Sequence, residues 1–111
     1  MGRMEVYRQR VRMEEATIMA EIDVQTTEKE DGYEFRVTVR EASSETRHRV
    51  TLNKSDYEDL VGGKASPEEL VRESFRFLLE REPKESILGS FDLLVINRYF
   101  PEYRARIGER L

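Results

Sequence analysis

Residues 66–82 read SPEELVRESFRFLLERE, and the spacing within them decides the fold. Ser66 followed three positions later by Glu69 is a capping box: the hydroxyl accepts a backbone N–H one turn in, and the carboxylate reaches back. Pro67 stands where a missing N–H costs nothing. Pro83 cannot continue a helix and restricts the residue before it. The pattern therefore predicts a helix from the Ser66 cap to about Glu82. At 100° per residue, Leu70, Val71, Ser74, Phe75, Phe77, Leu78 and Leu79 fill an arc of roughly 200°. Glu69, Arg72, Glu73, Arg76 and Glu80 fill the remainder, with Glu73/Arg76 and Arg76/Glu80 spaced to pair. So wide an apolar arc exceeds what one small sheet covers. The helix is predicted to be the centre of the core, with a sheet on one side and C-terminal segments or a second subunit on the other.

The stretch before it supplies the sheet. Ile22 and Val24 alternate with Glu21, Asp23 and Gln25; Tyr33, Phe35, Val37 and Val39 alternate with Glu34, Arg36, Thr38 and Arg40; His48, Val50 and Leu52 alternate with Arg47, Arg49 and Thr51. Period 2 is the mark of half-buried strands. Asp31-Gly32 is read as the first turn, on the ground that glycine tolerates positive φ, and Ala42-Ser43-Ser44-Glu45 as the second. Short connections predict a three-stranded antiparallel meander. Between sheet and helix, Ser55-Asp56-Tyr57-Glu58 reads as a capping box opening a first helix that carries Tyr57, Leu60 and Val61. Gly62-Gly63 ends it in the left-handed conformation.

Beyond Pro83 the pattern thins. Residues 83–88 suit a short helix, with Gly89 ending or kinking it. Leu93-Leu94-Val95-Ile96 suits a buried strand or a helix; helix is preferred because Asp92 is a good cap and Pro101 a natural stop. Tyr103, Ile107 and Leu111 recur every fourth residue and predict a last short helix. At the other end, residues 1–18 hold Arg3, Arg8, Arg10 and Arg12 among apolar positions that would give a short helix only a poor stripe. They read as a frayed or artefactual extension, or functionally as a basic arm that docks on a partner. The expected architecture is one α+β domain over residues 19–111: the meander packed on the central helix, with further short helices at the C-terminus.

Composition narrows the function classes. The chain has 111 residues, enough for one core. Charged residues make up 38%, against about 25% in an average domain, so the core is thin and the surface densely charged. With no cysteine there is no thiolate nucleophile, disulfide framework or Cys zinc site; a reducing, cytoplasmic location is expected. The longest apolar run, Leu93-Leu94-Val95-Ile96, is far short of the roughly 20 residues that span a bilayer, and no secretory signal is visible. Net charge is −4 and no segment is a basic block, which disfavours generic polyanion binding.

Two resemblances add to this. Residues 74–88, SFRFLLEREPKESIL, followed by Phe91-Asp92-Leu93 and by Arg98-Tyr99-Phe100-Pro101-Glu102-Tyr103, resemble a group of small uncharacterised prokaryotic proteins. The likeness covers roughly residues 19–103; it implies a shared fold and carries no mechanism. Residues 47–52, 55–61 and 66–82 form strand, helix, turn and helix, which resembles a ribbon-helix-helix DNA-binding domain, where a dimer inserts a two-stranded ribbon into the major groove. That resemblance implies Arg47, Arg49 and Thr51 facing the bases. The chain departs from the pattern in three ways. Its first helix is short. Glu68 and Glu69 sit where phosphate would approach the second helix. Two further strands precede the ribbon strand and compete for its edge.

Catalytic chemistry finds little support. His48, the single imidazole, falls on the apolar side of a strand and reads as structural; a lone His also makes a poor metal site. The carboxylates are scattered, with no dry cleft to drive a pair of pKa values apart, and the acids at Glu28, Glu30 and Asp31 lack EF-hand spacing. Gly62-Gly63-Lys64 lacks the spacing and the hydroxyl of a phosphate loop. The strand aromatics Tyr33 and Phe35 lie on the apolar side, not on the arginine face that an RNA reader would use. No catalytic residue, metal or cofactor is therefore assigned. Tyr99, Phe100 and Tyr103 form an aromatic cluster that reads as a core anchor or a protein interface. The expected function is a non-enzymatic protein-interaction module, with a protein partner or a second copy of itself. DNA binding through Arg47, Arg49 and Thr51 is the alternative, and no membrane association is expected.

Overall fold

The computed structural model describes residues 20–111; the extension read over residues 1–18 lies outside them. Three long strands, β1 (Glu21–Glu28), β2 (Gly32–Glu41) and β3 (Ser44–Asn53), run antiparallel in sequence order. Register pairs Val24 with Val37, Phe35 with Val50 and Tyr33 with Leu52, so the alternating apolar positions share one face. Phe35, Val37, Val39, Val50 and Leu52 are all buried. Helix α1 (Lys54–Val61) follows β3 directly, and α2 (Pro67–Leu79) lies across the apolar face. Every residue of the predicted arc on α2, from Leu70 to Leu79, is buried, Ser74 included. The final helix α4 (Tyr103–Arg110) follows α3 (Val95–Tyr99). It packs on the far side of α2 through Tyr103 and Ile107, both without solvent exposure. The central helix thus has sheet on one flank and the C-terminus on the other.

The sheet has one strand more than the meander. β4 (Ser90–Asp92) lies parallel beside β3, with Arg49, Val50 and Thr51 opposite Ser90, Phe91 and Asp92. The Arg49 amide donates to the Gly89 carbonyl (2.8 Å) and the Leu93 amide to that of Thr51 (2.9 Å). Three residues are too few to show an alternation, and parallel pairing needs a long crossover, here the whole of α2. The outer face carries the charges. Glu34 meets Arg49 at 2.7 Å, Arg40 reaches Glu45 at 3.5 Å and Glu21 at 3.9 Å. Arg49 beside Glu34 holds that carboxyl below its usual range.

Local starts and stops differ from expectation in four places. α1 begins at Lys54 after Asn53, not at Ser55, and has no side-chain cap. The β2–β3 ladder runs on to the Gly32–Asn53 pair, and the Lys54 amide donates to the Asp31 carbonyl (3.0 Å). A loop carbonyl thereby satisfies an N–H that a cap would otherwise take. Gly32 does not have positive φ; a Cβ there would lie 2.4 Å from the Leu52 carbonyl oxygen, so close approach of two backbones is what requires glycine. In the second turn only Ala42 and Ser43 lie outside the strands, Ser44 and Glu45 pair with Glu41 and Arg40, and Ala42 takes φ +50°. The Ser66 cap is as expected, accepting from the Glu69 amide at 3.1 Å. The helix it opens stops at Leu79; Glu80 instead faces Arg110, while Arg76 pairs back to Glu73.

Candidate functional site

The chain between α2 and α4 builds an apolar groove. After Leu79 the amides of Arg81 and Glu82 both turn back to the Leu78 carbonyl (2.9 Å each). Pro83 is extended and leads into one turn of 3-10 helix, Lys84–Ser86. Lys84 fastens that turn to the sheet. Its side chain is buried, yet its ammonium lies 2.6 Å from Glu85 and 3.2 Å from Glu41 at the end of β2. The hydrogen bond that Lys84 donates to Glu85 foremost, with Glu41 adding to it, raises the Lys84 pKa against the opposing pull of burial. A lysine covered to this extent keeps its charge by pairing it. From there β4 docks on β3. The Asp92 carboxylate holds the next bend, accepting from the Leu94 amide and the Thr51 hydroxyl at 3.1 Å each. Asp92 is therefore not the helix cap expected of it: it closes a turn through Leu93 and Leu94, while α3 starts at Val95 after Leu94 with no side-chain cap.

Between these pieces lies a groove of about 390 Å³. Leu78, Phe91 and Phe100 line it together with Val95 and Ile96 of α3. Among the described residues two large hydrophobic side chains stand exposed, Leu88 at 47% and Tyr99 at 67%. Both line this groove. Glu82 and Ser86 are its polar members. Burial against these apolar walls raises the Glu82 carboxyl above its ordinary pKa. No charged neighbour offsets that cost, and Glu82 makes no ion pair among the described residues.

The aromatic cluster is divided by the structure. Tyr99 projects into solvent and Phe100 is half-buried in the groove's lining. Tyr103 is fully buried: its hydroxyl lies 2.7 Å from Ser74 Oγ, which in turn donates to the Leu70 carbonyl. Tyr103 is thus a core residue whose desolvated phenol is pushed above its usual pKa, and it presents no surface to a partner. Its ring stacks edge-on to Phe77, whose other neighbours include the Arg81 guanidinium at 3.5 Å.

Arg47, Arg49 and Thr51 do point outward from β3, as the alternation requires. They are already engaged: Arg47 with Glu45 (3.1 Å), Arg49 with Glu34, and Thr51 with Asp92. The strand has β2 on one side and β4 along residues 49–51 on the other, so the edge that a ribbon mate would use is occupied there. His48 is 5% exposed. Leu88 O can only accept, so Nδ1 carries the proton and donates at 2.8 Å, leaving Nε2 to accept from the Thr46 hydroxyl at 2.8 Å. Both ring nitrogens are satisfied within the fold. Burial against Phe75 lowers its pKa, with the Leu88 carbonyl opposing.

Among the described residues no cluster of three or more His, Cys, Asp or Glu is placed to hold a metal ion. Nor is any helix long and apolar enough to cross a membrane. Sequence reasoning passed over Leu88, Glu82 and Lys84. The available signal was that Leu88 belongs to no periodic apolar stripe, while Tyr99 follows Val95 and Ile96 at helical spacing. No protein-family model, curated protein or solved structure matches the chain.

Proposed function

We propose that this chain is a non-enzymatic protein-interaction domain that seats an apolar segment of another polypeptide in the groove between the end of α2 and α3. One observation carries it: the two exposed large hydrophobics, 11 residues apart in sequence, converge on one concave apolar surface. Scattered single apolar residues are ordinary on a surface, whereas apolar side chains gathered around a hollow are a binding feature. The aromatic at its lip is the residue type favoured at interface centres. The charged sheet face lends less to recognition, because its arginines are largely spent on neighbouring acids.

Selection of peptides from a displayed random library against the intact chain tests this. Selected peptides are expected to carry an aromatic or aliphatic anchor. They should lose at least about tenfold in affinity, about 1.4 kcal/mol, for a folded Leu88→Asp/Tyr99→Asp variant. Failure to select any peptide, or selection of peptides that bind the variant equally, counts against the proposal.

A further inference from the structure

We infer that the free edge of β1 docks a second copy of this chain: the two β1 strands pair antiparallel about a two-fold axis at Gln25 and join the two sheets into one. This surface is separate from the groove, whose reading it neither needs nor changes. Among the described residues β1 pairs with β2 alone, and that ladder runs without a bulge from Glu21 to Glu28. Its parity is fixed at the turn. The Lys29 amide donates to the Gly32 carbonyl (2.7 Å), so Thr27, Gln25, Asp23 and Glu21 turn their backbone groups toward β2. Ile22, Val24, Thr26 and Glu28 therefore turn theirs outward. The Ile22 carbonyl accepts from Arg72 Nε, at a long 3.4 Å. A row of outward amides and carbonyls is a template for another strand unless proline, lysine, a bulge or a covering element blunts it. β1 holds no proline or lysine between Glu21 and Glu28. Thr26 and Glu28 lie on the core-facing side yet are exposed, so α2 leaves that end of the edge open.

Charge selects the occupant and the register. With Gln25 opposite its own copy, Val24 meets Thr26 and Ile22 meets Glu28, and each such pair exchanges two backbone hydrogen bonds. On the outer face Glu21 then stands opposite the second copy's Lys29, and Asp23 lies diagonal to it, a span that a side chain as long as lysine's reaches. All three have charge to spare. Asp23 enters no ion pair among the described residues, and Glu21 reaches Arg40 only at 3.9 Å. Lys29 lies 3.6 Å from Glu34, a carboxylate that Arg49 already holds at 2.7 Å. On the core-facing side the arriving Glu28 comes beside Arg72 at Ile22. Other registers lose this match. An axis at Asp23 sets two aspartates face to face, one at Val24 carries Lys29 past the start of β1, and one at Thr26 puts Glu21 opposite Asp31. Two-fold symmetry repeats each favourable contact. A single strand pairing is a small interface, so the dimer is expected to be reversible.

Sedimentation velocity and amide exchange on the full chain, from about 10 μM to about 1 mM, test this together. Wild type is expected to shift from monomer to dimer. The amides of Ile22, Val24, Thr26 and Glu28 should slow several-fold as it does, while those of Asp23, Gln25 and Thr27, bonded to β2 throughout, change little. Thr26→Pro removes an outward donor that β2 does not use, at an edge position that tolerates proline. It should stay folded and weaken association at least about tenfold. Glu21→Lys and Lys29→Glu, each alone, place like charges at both symmetry-related contacts and weaken it too; mixed one to one, they restore opposite charges and should dimerise again. Both positions are exposed, so this pair carries the test if Thr26→Pro does not fold. Leu88→Asp/Tyr99→Asp, which alters the groove alone, is expected to associate as wild type does. A wild type that stays monomeric, a folded Thr26→Pro that associates normally, or charge variants that do not recover on mixing overturn the inference. Association lost in Leu88→Asp/Tyr99→Asp does the same by moving the contact to the groove, and so does protection of the four amides in the monomer, which puts another segment on the edge.

Discussion

His48 illustrates how one residue's environment sets both its chemistry and its contribution to stability. Its side chain faces Phe75, its Nδ1 ties β3 to Leu88 of the groove, and its Nε2 accepts from Thr46 of the same strand. Burial lowers its folded-state pKa, so on acidification the unfolded chain takes up the proton first, near pH 6.5. Stability is therefore fully present above that pH and declines as pH falls toward the folded value. Urea midpoints at about pH 7.5 and 5.5, a window above the usual carboxylate range, are expected to fall in wild type and to fall less in His48→Gln. Glu82, raised by burial, acts in the opposite direction but is common to both proteins, so it drops out of the comparison. Equal declines would show that the imidazole does not titrate differently on folding. Ser74 and Tyr103 form the other buried polar pair, each hydroxyl satisfied, which is why a serine is tolerated at the centre of α2.

Among the elements, the β2–β3 hairpin and its exit into α1 depend on close backbone approach. A Cβ at Gly32 would press on the Leu52 carbonyl and lie 3.1 Å from the Asn53 Cα, backbone atoms that cannot swing aside. Gly32→Ala is expected to cost about 1–3 kcal/mol and to loosen the start of α1, whose first amide is held by Asp31 beside it. Denaturant unfolding measures the first effect, and amide exchange at Lys54 the second. A neutral substitution would mean the hairpin end is slack. The short elements beyond α2 draw little from their own composition. α3 has five residues and β4 three, well under the length at which a helix or strand is stable alone. Their order comes from the Lys84 latch, the Asp92 bend and the ladder to β3.

At the scale of the molecule, the described residues share one buried cluster that includes Phe75, which meets His48 of the sheet at 5.3 Å and Phe91 of β4 at 6.1 Å. Val37 and Val50 belong to the same cluster and face inward. Phe75→Ala should cost about 3–5 kcal/mol. Sheet and helix signals should move together in one transition, since one ring serves both layers. A loss under about 1 kcal/mol, or separate transitions, would contradict a shared core. The groove lies on the margin of this cluster and is lined in part by Leu78 and Phe91. Removing Phe75 is therefore also expected to weaken peptide binding there.

Local periodicity was enough to read the three long strands, the buried arc of α2, its Ser66 cap and the Tyr103–Ile107 stripe, because each repeats over several turns or pairs and its pattern is written in adjacent residues. The inward valines and the outward arginines follow from the same alternation. What adjacent residues do not encode was decided by tertiary structure. β4 is a strand because β3 offers it an open edge. α1 starts at Lys54 because Asp31 happens to face its amide. Lys84 is buried because Glu41, 43 residues earlier, waits at the end of β2. Tyr99 and Tyr103 are both tyrosines of one short aromatic stretch, yet one is core and the other surface, since α4 turns the second toward Ser74 and leaves the first over a hollow. The groove is lined by one stretch, residues 78–100, but contacts to residues far away in the chain, which have no local period, bend that stretch around a hollow.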